Sequence, residues 1–141
     1  MRSYFDSSAL IAAFVEEELH HHAACTALAD ARDGFTSSHA LAEVFGTLTG
    51  GRLGIQLTAD EAADVIESNV ISRLDILELT LQDYRQAMSK SHMSGARGGA
   101  IFDMLHLQAA RRGKARKIFT INARHFQTFA PDLRDIISSP S

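Results

Sequence analysis

The chain has 141 residues, of which 45% are hydrophobic and 22% charged, enough for one domain with its own core and the balance of an ordinary globular protein. The single cysteine, Cys25, excludes an intrachain disulfide framework and fits a reducing compartment. No apolar run approaches the ~20 residues that span a bilayer, and Asp6 interrupts what would be the apolar core of a secretory signal, so a cytoplasmic protein is expected. The net charge of −3 is unevenly spread: residues 1–89 carry 14 acids and 5 bases, residues 90–141 carry 3 acids and 9 bases.

In chain order, short apolar runs alternate with helical patterns. Ser3–Phe5 reads as a strand, followed by helices over Ser8–Glu18 and His20–Asp33. Phe35–Ser37 reads as a second strand, with Ser38 placed to cap the helix "HALAEVFGTLTG". Thr58 and Glu61 form a capping box that opens a helix to about Ile71. "LDILEL" reads as a third strand, Thr80 heads another helix, and the loop "SGARGG" leads into "AIFDMLHLQAARRG", a helix stopped by Gly113. "RKIFTI" gives a fourth strand and "RDIIS" a short fifth. This alternation predicts a single α/β domain with a mostly parallel sheet.

Three acids stand alone. Asp6 is the only formally charged residue in Ser3–Val15, Glu43 the only one in Gly34–Gly51, and Asp103 the only one in Gly98–Ala110. Weakly charged stretches tend to be buried, and a buried carboxylate without a partner is costly. Asp6 directly follows the first strand, at the edge where open α/β sheets bind ligands. On its helix Glu43 is expected to point away from a core stripe of Leu41, Val44, Phe45 and Leu48, among Ala40, Gly46 and Thr47. Asp103 interrupts the apolar contacts of Ile101, Met104, Leu105 and Leu107, although Asp is a poor residue inside a helix. Each has an ordinary alternative: a helix cap for Asp6, a distant Arg for Glu43, backbone hydrogen bonds for Asp103. Three such coincidences are less economical than one shared cation, and oxygen ligands alone favour Mg²⁺ or Mn²⁺ over zinc.

Other clusters carry less. "EEELHHH" cannot turn three consecutive histidines to one side of a helix and reads as a solvated turn. Cys25 reads as a small packed residue with no base beside it. His39 and Glu43 are four apart, but "HALAE" lacks the second histidine of a zinc-protease helix. Position 8 is serine, where a haloacid-dehalogenase-like phosphatase needs a second aspartate, and the unpaired Asp6 does not suit a receiver domain. The bases Arg111, Arg112, Lys114, Arg116, Lys117 and Arg124 suit a polyanion partner, or simply cations at a helix C-terminus.

Taken together, "YFDSSAL", "HALAEVF", "GGAIFDMLHLQAAR" and "FTINARHF" resemble the PIN-domain nucleases, and within them the VapC-type toxins of toxin–antitoxin pairs. The resemblance spans essentially the whole chain in order. It implies a three-layer fold with a five-stranded, mostly parallel sheet flanked by helices. It also implies Mg²⁺- or Mn²⁺-dependent hydrolysis of RNA, leaving a 5′-phosphate and a 3′-hydroxyl, with a tRNA or rRNA loop as the expected target. The family's acids fall on Asp6, Glu43 and Asp103, as catalytic residues and metal ligands, with Ser7 and Thr120 as supporting hydroxyls. A position often acidic is Asn122 here, and another is His125, which leaves a second metal site open; His106 and His125 are the only nearby general-base candidates. The basic cluster would then hold the RNA backbone. Such proteins usually dimerise and are silenced by a cognate antitoxin. A housekeeping RNA-processing nuclease of the same fold, and a non-cutting RNA- or protein-binding module, are the alternatives.

Overall fold

The computed structural model describes residues 2–141. Five parallel strands form one sheet in the order β3-β2-β1-β4-β5, where β1 is Arg2–Phe5, β2 Asp33–Ser37, β3 Asp75–Leu77, β4 Lys117–Phe119 and β5 Ile137–Ser138. The helices are α1 (Ser7–Phe14), α2 (His21–Asp30), α3 (Ser38–Gly50), α4 (Ala59–Ile66), α5 (Leu81–Ser94), α6 (Ala100–Arg112) and α7 (Ala123–Phe129). This is the three-layer α/β arrangement expected from the sequence.

The strands separate two cores by their period-two alternation. Phe5 joins Leu10, Val15, Leu28, Val44, Leu48, Ile66 and Val70 on the face covered by α1–α4. Its neighbour Tyr4 joins Phe35, Leu105, Leu107, Ile118 and Phe126 on the face covered by α5–α7. Glycine is required where α6 ends: a Cβ on Gly113 would stand 2.3 Å from the Phe35 ring. The left-handed residue that turns the chain there is Lys114, at φ 57°, rather than the glycine itself.

Several local expectations shift. α1 stops at Phe14 rather than Glu18, because three consecutive acids oppose the negative end of the helix dipole. Ser37, not Ser38, caps α3 by accepting from the Ala40 N–H, while Ser38 Oγ accepts from the Leu79 N–H. The Thr58–Glu61 capping box forms, but α4 ends at Ile66 and the chain continues to Ile71 as one wide π turn. The core stripe of α3 is Ala40, Val44 and Leu48, whereas Phe45 is partly exposed. α7 was unsignalled, since its seven residues carry neither a side-chain cap nor a clean apolar stripe. Cys25 packs as expected, donating to the Ala13 carbonyl, but it does have a neighbouring base: the His21 ring, one turn earlier, lies 3.7 Å away.

Candidate active site at the carboxyl edge of the sheet

Asp6 follows β1 at the carboxyl edge of the sheet and is 2% exposed. It does cap α1: Oδ1 accepts from the Ala9 N–H at 2.9 Å and from Ser8 Oγ at 2.7 Å. Oδ2 accepts from Thr120 Oγ1 at 2.6 Å. Both hydroxyls are aimed by backbone, since Ile121 N–H donates to Ser8 and Asn122 N–H donates to Thr120. Ser8 is thus the serine that holds Asp6. Ser7, the expected support, faces His106 at 3.4 Å instead. Burial pushes the Asp6 carboxyl above its usual range, and the hydrogen bonds and the charge of His106 offset only part of that.

Glu43 projects from α3 and is gripped by His106 of α6, whose Nε2 lies 2.6 Å from Oε1. His106 is 2% exposed, and its Nδ1 is 2.6 Å from the Tyr4 hydroxyl, which lies 3.1 Å from Ser37 Oγ. Burial pushes the Tyr4 phenol far up, so it stays neutral. Nε2–H of His106 donates to Glu43, and the direction of the Tyr4 bond at Nδ1 follows the protonation of the ring. Burial opposes a charge on the histidine, but the bond to Glu43 and the fields of Asp6, Glu43 and Asp103 hold it above its ordinary value. Burial likewise raises Glu43, and the bond and charge of His106 outweigh it, leaving the glutamate below the usual range. With both ring nitrogens engaged, His106 is a positioning group and not a free base. His125 is exposed and reaches Asp103 only through its charge.

Asp103 sits in the first turn of α6, half-buried and without a hydrogen bond among the described residues. Burial pushes its carboxyl up, and the charges of Asp6 and Glu43 push it further, against the opposing pull of His106 and His125. The three acids from distant parts of the chain therefore feel one another. Among the described residues no Lys or Arg pairs with any of them, and no group of three or more His, Cys, Asp or Glu side chains stands close enough to hold a metal ion as it is.

The donor set suits a hard divalent cation. Among the described residues Asp6 Oδ2 accepts only from Thr120, Glu43 Oε1 is the oxygen bonded to His106, and both oxygens of Asp103 are unpartnered. Asn122 lies exposed at the rim with its amide unengaged.

Most of the basic cluster lies away from the acids. Gly113 O accepts from Arg2 Nε, and Arg116 N–H donates to Arg2 O, so the segment meets the start of β1. Lys117 pairs with Ser3, three residues before Asp6 and roughly 10 Å down the strand. Arg111 forms a bidentate pair with Asp132, and Arg112 holds Asp83 and the Glu78 carbonyl. Of the six only Arg124, two residues after Asn122, stands at the acid edge. Exposed arginines that do stand there are Arg52, which shares an open groove of about 360 Å³ with Glu43, and Arg97, in the loop before α6. Neither lies in a charge cluster, so the sequence offered no signal for them.

The match of residues 3–130 to the PIN domain model places the chain in the PIN domain family. No curated protein matches it by sequence. Among solved structures it is similar to Mycobacterium tuberculosis VapC20, described as a sarcin–ricin loop cleaving toxin, with 18% identity, TM-score 0.72, and coverage of 87% of this chain and 92% of that one. It is also similar to VapBC2 from Rickettsia felis bound to a promoter DNA fragment (18%, TM-score 0.64, 90% and 92%). A third is VapBC-1 from nontypeable Haemophilus influenzae (16%, TM-score 0.66, 93% and 94%). The five-stranded parallel fold is thus that of VapC structures.

Proposed function

We propose that this chain is a metal-dependent endoribonuclease, the toxin of a toxin–antitoxin pair, acting in the cytoplasm on an RNA loop. What supports the reading is that Asp6, Glu43 and Asp103 stand at the carboxyl edge of the sheet within reach of one another's charge, with no Lys or Arg paired to any of them among the described residues. Asp6 and Asp103 are both held above the usual carboxylate range, the electrostatic condition a bound divalent cation relieves. Mg²⁺ or Mn²⁺ would be held by these three side chains, and the chemistry it supplies is Lewis acidity toward a phosphate ester and toward water. Thr120 and Ser8 fix the Asp6 carboxylate, and His106, itself 3.4 Å from Ser7, fixes Glu43, so the acids are oriented before substrate arrives. The toxin role and the antitoxin partner are supported by the likeness to VapC20 and to VapBC assemblies; homodimerisation belongs to the same proposal.

The test is cleavage of a structured RNA pool by purified protein in Mg²⁺, Mn²⁺ or EDTA, beside Asp103→Asn. Cleavage that needs the cation and vanishes in the variant supports the nuclease. Equal background from both proteins in either metal would replace it with a binding module.

A further inference from the structure

Phe102 is a large apolar side chain left 46% exposed, one residue before Asp103. Its ring lies nearly parallel to that of His39, with centroids 5.2 Å apart and planes at 15°. His39 in turn lies one helical turn before Glu43, with Nε2 3.4 Å from Oε1. The pair therefore bridges the two helices that carry the acids, about 6 Å along α3 from Glu43 and directly beside Asp103 on α6. His39 covers one face of Phe102 and leaves the ring partly open to solvent. The approaches are open as well: a Cβ added at Gly46, Gly50, Gly98 or Gly99 would meet nothing within 4 Å.

Resting on the nuclease reading, we propose that Phe102, backed by His39, is the stacking platform for an unpaired nucleobase beside the scissile phosphate. Unpaired bases in RNA loops are recognised by stacking on aromatic side chains, a contact that every base can make. A platform whose ring is already stacked on a fixed neighbour loses little freedom when a base arrives. The flanking cations Arg52 and Arg97 form no ion pair among the described residues, which favours a polyanion over an apolar peptide as the occupant. The platform also selects for structure: a base locked in a duplex cannot reach it, so cleavage is directed to loops.

The experiment titrates the full chain, in EDTA to prevent turnover, into a single-stranded RNA octamer carrying one central 2-aminopurine, whose fluorescence is quenched on stacking. Wild type, Phe102→Ala and Phe102→Tyr are compared, each checked for an unchanged melting temperature. The expected result is quenching by wild type and Phe102→Tyr, with binding by Phe102→Ala weakened roughly ten-fold or more and its quenching lost. Equal Kd and equal quenching for Phe102→Ala would overturn the platform. So would unchanged RNA binding combined with lost self-association or partner-protein binding, which would make Phe102 a protein contact. Metal-dependent cleavage of the RNA pool is measured on the same samples. Wild type that cuts while Phe102→Ala binds and quenches normally removes the platform alone; wild type that neither binds nor cuts removes the nuclease reading with it.

Discussion

Asp6 and Asp83 are both 2% exposed, and the fold treats them in opposite ways. Asp83 meets Arg112 through the guanidinium Nε at 2.9 Å, Gln108 at 3.1 Å and the Thr80 backbone N–H at 2.9 Å. Burial raises its carboxyl, but the Thr80 N–H, Gln108 and Arg112 together hold it below the usual range. Asp6 receives two hydroxyls and one N–H, has no guanidinium or ammonium partner, and stays above that range. A carboxylate that serves the fold is neutralised within it. One left short of positive charge fits the cation of the proposed function, and the helix cap is compatible with that role because the cap uses Oδ1 and leaves Oδ2 to Thr120 and the site.

The largest expected break in this comparison is at Asp103, the acid with no hydrogen bond among the described residues to lose. Asp103→Asn should abolish cation-dependent RNA cleavage, a fall of at least about 10³-fold. A binding readout independent of activity accompanies it: millimolar Mg²⁺ or Mn²⁺ should raise the melting temperature of wild type, by mass action on the folded state, and leave that of the variant unmoved. Equal cation-induced shifts would detach Asp103 from the metal.

Asp83→Asn should do the reverse, leaving cation binding intact and costing about 2–3 kcal/mol of stability. The pH dependence follows from the direction of the shift. A carboxyl held below its unfolded value contributes stability above about pH 4, and that contribution is lost as pH falls through the folded value. The gap between wild type and variant in urea unfolding should therefore be flat from neutral pH to about pH 5 and close in stronger acid. A gap that persisted undiminished in strong acid would mean that packing, and not charge, sets the cost.

His106→Gln tests the grip on Glu43 at intermediate size. Groups that orient a metal ligand are typically worth 10–100-fold, so cleavage and cation affinity should fall together by about that range. A loss of activity with unchanged cation-induced stabilisation would show His106 acting on something other than Glu43.

Much of this site was legible in the chain because isolation in sequence survives folding: Asp6, Glu43 and Asp103 each stand in an uncharged stretch, and the alternation of elements carries all of them to one edge. The partners were less visible. Glu43 and Tyr4 are 63 and 102 residues from His106, and nothing local marks a histidine in "MLHLQ" as the buried partner of both. Ser7 and Ser8 are adjacent, and which one faces Asp6 depends on where α1 begins. Asp83 went unremarked for the complementary reason, since Arg85 stands close by and its true partner, Arg112, is 29 residues on. The place of the run 111–117 is not legible because adjacency in sequence is not adjacency in space: α6 descends the length of the sheet, so residues soon after Asp103 reach the opposite edge.

That last point gives the smallest and most discriminating prediction. Nine residues along α6 separate Asp103 from Arg112, about 13 Å of helix axis, and Arg111 and Arg112 are committed to Asp132 and Asp83. Lys114→Ala, Arg116→Ala and Lys117→Ala should each change RNA cleavage by less than about two-fold and leave its salt dependence alone. Arg52→Ala and Arg97→Ala, which remove charge at the acid edge, should each weaken binding several-fold. Each should also flatten the plot of log Kd against log salt by about 0.7, the value for one lost contact to a single-stranded phosphate. If the far-edge lysines flattened the slope and the near-edge arginines did not, the RNA would have to cross the sheet, and the acid edge would hold only the bond that is cut.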